Sequence, residues 1–315
     1  MRTIASLCAL STLGLATVGT AQWNQIQTLN APTARAGAVA AYDTTRGETV
    51  LFGGEVGFSL SNETWVYDGS DWTQKTTTTQ PSGRAEAAMV MNPAGNVLLY
   101  GGNAGGGPWG GPANDETWQW DGTSWTMLTP AATPGGLTRA GSAYDIARGR
   151  MVIYGGLADS AFPIASASTW EFDGATWTQS AATGPGAREG VAMCYDSNRG
   201  KVVMFGGVDP QVGGFGDTWE FDGTAWTRLM VTGPIARSRA KMVFDSNRNT
   251  CVLFGGSDTT NGNLFTDTWE FDGTSWTQLA TGGLAGRGVP AAAYDPAGGH
   301  TILFGGIDSS FAANN

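Results

Sequence analysis

Apolar residues in this chain fall in short runs, each closed by Gly, Asp or Asn, and none has the length or 3.6-residue period of an amphipathic helix. Six of the runs end in paired glycines: Leu51-Phe52-Gly53-Gly54, Leu99-Tyr100-Gly101-Gly102, Ile153-Tyr154-Gly155-Gly156, Met204-Phe205-Gly206-Gly207, Leu253-Phe254-Gly255-Gly256 and Leu303-Phe304-Gly305-Gly306. Their first glycines lie 48, 54, 51, 49 and 50 residues apart. Between the pairs runs a second module, Thr-Trp-x-x-Asp-Gly-x-x-Trp, anchored at Trp65, Trp118, Trp170, Trp219 and Trp269. Two modules in one frame at a period of about fifty residues indicate a repeat architecture.

Each repeat predicts four strands. The first ends in Tyr-Asp or its equivalent, the second in Gly-Gly, the third carries Thr-Trp, and the fourth starts at the second Trp. Asp-Gly between the third and fourth is a tight-hairpin signal, because glycine reaches positive φ freely and Asp tolerates it. Asp196-Ser197-Asn198-Arg199-Gly200 is a turn of similar chemistry between the first and second. Four antiparallel strands per repeat form a propeller blade, and radial closure covers the faces that no blade buries alone. The paired glycines are expected to let a bulky neighbour, such as a Trp, lie against the backbone.

These residues resemble the kelch-repeat family, including the galactose oxidase-like propellers, over nearly all of the chain after residue 21. The resemblance implies an all-β, kelch-type β-propeller of six four-stranded blades, or seven if the chain is truncated. The family hosts unrelated activities, so the fold does not select one. Copper chemistry of the galactose oxidase kind needs two histidines, and this chain has only His300.

Residues 1–21 are expected to be an export signal, with Arg2, a short apolar run from Ile4 to Val18, and small residues before Gln22. The propeller would then occupy residues 22–315. Gln22-Trp23-Asn24-Gln25 matches the start of a fourth strand, so the strand near Trp23 is expected to close the last blade. That blade is expected to lack one strand, because only nine residues follow Gly306. A secreted, periplasmic or cell-surface location follows. After signal removal the protein is expected not to span a membrane, and to be monomeric.

Charge and composition narrow the function. Lys+Arg 17 against Asp+Glu 27 gives a net charge of −10, which disfavours nucleic acid. A single histidine disfavours multi-His metal sites and a His-dependent triad. No cofactor or metal is expected. Cys194 and Cys251 are expected to be two separately buried thiols.

Candidate binding residues lie on the face that carries the longer loops. Arg35, Arg84, Arg139, Arg188, Arg237 and Arg287 precede the first strands and are expected to ring the channel mouth, where guanidinium groups would favour carboxylates or sulfates. The loop aromatics Phe58, Trp109, Phe162, Phe215 and Phe265, with Phe311 in the last repeat, are expected to form an outer platform suited to sugar rings. The alternative for both sets is structural: the arginines would pair with acids such as Glu86 and Glu189, and the aromatics would pin their loops. The favoured function is a secreted binding module for an extracellular protein or carbohydrate ligand. The alternatives are a sialidase-like or lyase-like enzyme and a structural domain of a larger surface protein. No catalytic residue is assigned.

Overall fold

The computed structural model describes residues 6–12, 20–105, 112–158, 164–282, 284–308 and 313; Trp109, Phe162 and Phe311 lie outside them. Among the described residues there is no helix, and no helix long and apolar enough to cross a membrane. Blades one to four are separate four-stranded antiparallel sheets in chain order from the inside out, and blades five and six are joined edge to edge into one eight-stranded sheet by parallel pairing of Thr20, Ala21 and Gln22 with Ala280, Thr281 and Gly282. Blade one comprises Val39–Asp43, Glu48–Phe52, Thr64–Tyr67 and Trp72–Lys75. Blade two runs from Ala88–Met91 to Trp125–Leu128, blade three from Gly141–Asp145 to Trp177–Gln179, and blade four from Ala192–Asp196 to Trp226–Leu229. Blade five runs from Lys241–Asp245 to Trp276–Gly282. The inner strands touch their neighbours around a closed ring, in which Val39–Asp43 meets both Ala88–Met91 and Ala291–Asp295.

Blade six draws on both ends of the chain. Ala291–Asp295 and His300–Phe304 supply its inner half, Ser6–Thr12 its third strand and Thr20–Gln27 its outer strand. Leu7 pairs with Phe304 and Leu10 with Trp23. This corrects the expectation of a three-stranded last blade, since the segment read as part of an export signal lies in the third position.

Second strands are buried along four consecutive residues, because each sheet is covered on both faces by its neighbours. The core is therefore a ring of inter-blade clusters. Phe52 and Val50 pack with Leu99, Trp118 and Trp125 between blades one and two. Between blades four and five the cluster includes Cys194 and Cys251, which are free and buried. The two thiols are neighbours rather than separate; burial, and then Cys251 itself, push the Cys194 thiol well up.

One contact recurs at every junction. The tryptophan that opens an outer strand lies against the aromatic before Gly-Gly in the preceding blade, with ring centroids 5.2 Å apart for Trp125 and Phe52, 4.7 Å for Trp177 and Tyr100, 5.1 Å for Trp226 and Tyr154, and 5.3 Å for Trp276 and Phe205. Trp23 on Phe254 (4.9 Å) and Trp72 on Phe304 (5.2 Å) complete the circle. In five junctions the indole N–H also donates to the third-strand threonine of that preceding blade: Trp125 to Thr64, Trp177 to Thr117, Trp226 to Thr169, Trp276 to Thr218 and Trp23 to Thr268, at 2.8 to 3.0 Å. A buried aromatic contact adds about 1 kcal/mol beyond its area, and a net hydrogen bond adds about as much.

The first glycine of each pair is required for a different reason from the one expected. A Cβ on Gly53 would lie 2.4 Å from the Arg84 carbonyl oxygen, and one on Gly206 would lie 2.5 Å from that of Arg237. The close neighbour is thus the backbone of the next repeat, crossing the pair on its way to its inner strand, and not a tryptophan. The second glycine donates its N–H to the same carbonyl, as Gly54 does to Arg84 and Gly207 to Arg237. At the hairpins, Asp Oδ1 accepts the backbone N–H groups two and three residues on. Burial opposes the charged form of Asp121 and Asp272, yet the Thr123 and Thr274 hydroxyls together with these backbone bonds hold both down to about 2.

Candidate functional site: the channel mouth

Five of the six candidate arginines belong to the blade interior. Arg35, Arg84, Arg188 and Arg237 are at most 2% exposed. Each donates Nη1 to the carbonyl of the first glycine in its own repeat, at 3.0 to 3.1 Å, and Arg287 makes the same bond to Gly305 at 3.0 Å. The charge is met by the residue just before the third-strand threonine: Glu63 at 2.5 Å, Glu116 at 2.5 Å, Asp217 at 2.6 Å and Asp267 at 2.5 Å. Burial works against Asp217 and Asp267, but hydrogen bonds from Arg188 and Trp219, and from Arg237 and Trp269, hold both below the usual carboxylate range. These arginines pin the Gly-Gly corner to the third strand, so they do not ring the mouth as expected.

Arg139 is different. The residue in the arginine frame of blade three is Leu137, whose carbonyl accepts from Gly102 as the Arg84 carbonyl does from Gly54. Where leucine replaces arginine, Ser168 stands in place of the acid. Charge and countercharge are lost together, because either alone would be buried and unpaired.

The loop aromatics also divide. Phe215 and Phe265 stack over the guanidinium groups of Arg188 and Arg237, at 3.8 and 3.9 Å from the ring centroids, and so cover the pins instead of facing outward. In blade one Ser61 reaches Arg35 from the equivalent place. Phe58, at 86% exposed, stands free at its loop tip.

The residues that do ring the mouth were not singled out as a set by the sequence. Two residues after each pinning position come Gly37, Glu86, Arg139, Gly190, Arg239 and Val289, all in the left-handed region at φ between 48° and 65°. The conformation turns five of the six ring N–H groups toward the carbonyl of the previous blade: Gly37 to Val289, Glu86 to Gly37, Arg139 to Glu86, Gly190 to Arg139 and Arg239 to Gly190, at 2.6 to 3.1 Å. Glycine suits the position. Glu86, Arg139, Arg239 and Val289 hold it at a cost of about 1–2 kcal/mol each.

Their side chains meet over the opening. Arg139 lies 2.5 Å from Glu86 and 3.5 Å from Glu189, while Arg239 lies 3.7 Å from Glu86 and 3.6 Å from Glu189. Burial would raise Glu86, but the charges of Arg239 and Arg139 outweigh it and hold its carboxyl low. For Glu189 burial wins, and its carboxyl is pushed up. Lys241, just inside, is pushed down by burial against the pull of Glu86. Three cations and two carboxylates leave the mouth one charge positive on a chain of net charge −10. Arg239 Nε and Glu189 Oε2 are buried without a hydrogen-bond partner, so the cluster retains donor and acceptor capacity. Beneath it the inner strands surround a cavity of about 310 Å³, lined by alanines, valines, methionines and Phe244, and by Tyr42, Tyr144, Tyr195 and Tyr294.

Of the two pairs meeting at the mouth, the sequence reading named Arg139, Glu86 and Glu189 but gave Arg239 no role. Counting back from Gly-Gly, instead of from the Tyr-Asp end, places Arg239 beside Arg139. His300 sits on the opposite face, 3.6 Å from Asp295. Among the described residues no group of three or more His, Cys, Asp or Glu is placed to hold a metal ion.

Replacing Arg237 with Ala leaves Asp267 half-buried without its cation, and should lower stability by about 3 kcal/mol in chemical denaturation. Arg228→Ala, at a residue with no pin, should stay within about 0.5 kcal/mol of the parent.

No curated protein matches the chain. A family model does: the KLHDC2/KLHL20/DRC7 Kelch-repeats domain matches residues 146–315, just over half the length. Kelch domains are protein-interaction modules, and the blades, Gly-Gly corners and outer tryptophans seen here continue through the half of the chain that the model does not match. The chain belongs to the kelch-repeat family, as an all-β propeller.

Proposed function

We propose that this propeller is a secreted binding module that takes an anionic group of an extracellular protein or glycan at the channel mouth. The observation that carries the reading is the break in the repeat at one ring of positions. Where glycine suffices, Glu86, Arg139 and Arg239 hold strained backbone and bring charged side chains together above the cavity. Strain kept at one site against the repeat's own preference supports a role beyond folding. Arg139, Arg239 and Lys241 would supply the positive field and the hydrogen bonds to a carboxylate or sulfate. Glu86 and Glu189 hold the guanidinium groups in place, and Phe58 offers an apolar contact on the same face.

The pH dependence follows from the directions. Glu189 has a raised folded-state pKa, so it is the first carboxylate of the cluster to take a proton as pH falls. Lys241 has a lowered one, and holds its proton more firmly as pH falls. Protonation of Glu189 makes the mouth more positive, while Glu86, held low, stays ionised. Binding of a sulfated probe, whose own charge does not change, should therefore tighten as pH falls from neutral into the mildly acidic range.

A sulfated-glycan and acidic-peptide array, followed by titration of any hit, checks the reading. Lys241→Gln and Arg239→Gln should each weaken a hit about tenfold with little change in melting temperature. Salt-insensitive binding, or binding unchanged in both variants, would place the ligand elsewhere.

Secretion rests on the n-region, apolar run and small residues of 1–21. The same chain cannot both lose residues 1–21 and keep Ser6–Thr12 in blade six. Intact mass of protein recovered from the culture medium should correspond to a chain starting at Gln22. A secreted form that retains Met1 or Arg2 would overturn the export reading.

A further inference from the structure

Three cysteines occur in the chain, and two of them meet across one junction. The junctions share a frame that joins the residue just before the tyrosine position of an inner strand to the residue four before Gly-Gly in the next blade. Between blades one and two the frame holds Ala41 and Val97, between two and three Val90 and Met151, and between three and four Ala143 and Val202, each pair within one buried cluster. Between blades four and five both positions are cysteine, Cys194 on Ala192–Asp196 and Cys251 on Thr250–Phe254, again in one cluster. The last two junctions place Val243 with Thr301 and Ala293 with Thr49, so no other junction has a cysteine at either position. A thiol fills the space of a small apolar side chain, and packing accounts for one such replacement. It gives no reason for two at facing positions.

The two thiols are hydrogen-bonded to each other. Their backbones are fixed by sheet pairing, Cys194 opposite Val203 in blade four and Cys251 between Phe244 and Phe271 in blade five. They differ in access. Cys251 is fully buried, while Cys194 is 6% exposed and lines the cavity of the channel. Both lie outside residues 1–21, so the pair is present whether or not that segment is retained.

We propose that Cys194 and Cys251 are a cross-linking site, at which an external disulfide of the glutathione or protein dithiol-oxidase class converts the two thiols into one bond that staples blade four to blade five. The Cys194 thiol, which faces the cavity, loses its proton, and the thiolate attacks a sulfur of the oxidant and expels one thiolate. Cys251 then loses its proton and attacks the Cys194 sulfur of the mixed disulfide, expelling the second. Two S–H bonds give way to one S–S bond, and two electrons and two protons reduce the oxidant to two thiols. Burial pushes the Cys194 thiol up and keeps thiolate scarce in the closed ring, so exchange is fast while this junction is still open, and the bond forms as the ring closes. Linking positions 57 residues apart restricts the unfolded chain and stabilises the closed one. Glu189 and Arg239 face each other across the same junction, 3.6 Å apart at the mouth. The cross-link does not depend on the binding role given to them.

The test uses the full chain with Cys8→Ser, which leaves only this pair. The reduced, unfolded chain is refolded in mixtures of reduced and oxidised glutathione, quenched in acid, and alkylated with iodoacetamide under denaturing conditions. In oxidising mixtures the refolded chain should take up no alkyl group and weigh two hydrogens less than the reduced chain, and a tryptic map should join the Cys194 and Cys251 peptides. Its melting temperature should lie about 5 °C above that of the reduced chain and return on adding dithiothreitol. Cys194→Ala with Cys251→Val, which restores the residues of other junctions, should melt at one temperature in both conditions. If Cys8→Ser fails to fold, the tryptic map of the unsubstituted chain reads the same pairing. Alkylation of both thiols after refolding in every mixture, a glutathione adduct that never resolves to the internal bond, or an equal oxidation-dependent rise in the Ala/Val variant would each overturn the proposal.

Discussion

The structure depends on the hand-off between neighbouring blades, in which an outer-strand tryptophan leaves its own sheet to lie on the aromatic of the preceding blade and donate to its threonine. A fifty-residue blade has two apolar faces and cannot bury either alone. The tryptophan ties the rim of each face to the next sheet, while the Gly-Gly corner lets the following repeat's backbone cross at contact distance near the channel. One interaction fixes the outside of the wheel and the other the inside. The pinned arginines connect them, each bonded to a Gly-Gly carbonyl on one side and, in four blades, to a third-strand acid on the other.

The framework is rigid because it is repetitive, and for that reason its departures are informative. Leu137 with Ser168 is a departure that keeps the rule, since the buried charge and its partner vanish together. The mouth breaks a different rule. Three charged residues adopt backbone geometry that glycine adopts freely, and the resulting network leaves two buried polar atoms without hydrogen bonds. The junction of blades six and one breaks another, with the buried Trp72 indole N–H lacking the bond that its five counterparts make. Each departure marks a place where the repeat has been altered, and the mouth is the one that carries the proposed function.

Fold class was legible because its causes are local. Paired glycines, Asp-Gly hairpins and strand-length apolar runs state their structure within a few residues, and the period counts the repeats. The place of the arginines was not legible, because it depends on which carbonyl a guanidinium reaches seventeen or eighteen residues away. Five arginines at a constant offset look the same from sequence whether they line a channel or close a corner. Arg139 looked like a sixth member through a two-residue slip, and only the Gly-Gly frame separates it: Leu137 lies eighteen residues before Gly155, as Arg188 lies before Gly206. The role of Phe215 and Phe265 as covers for buried guanidinium groups was hidden for the same reason, as was the pairing of Ser6–Thr12 with a strand nearly three hundred residues later. Such contacts are properties of closure, which no single repeat encodes.

The central claim is that blades are held to one another by the coupled tryptophan and threonine, beyond the area they bury. A double-mutant cycle in the full chain, with Trp226→Phe, Thr169→Val and the pair, followed by chemical denaturation, measures that coupling directly. The account predicts that the double variant loses about 1 kcal/mol less than the sum of the single losses, because either change alone already breaks the bond. Losses that add to within a few tenths of a kcal/mol would show that the recurring hydrogen bond contributes nothing to closure, and would contradict the account.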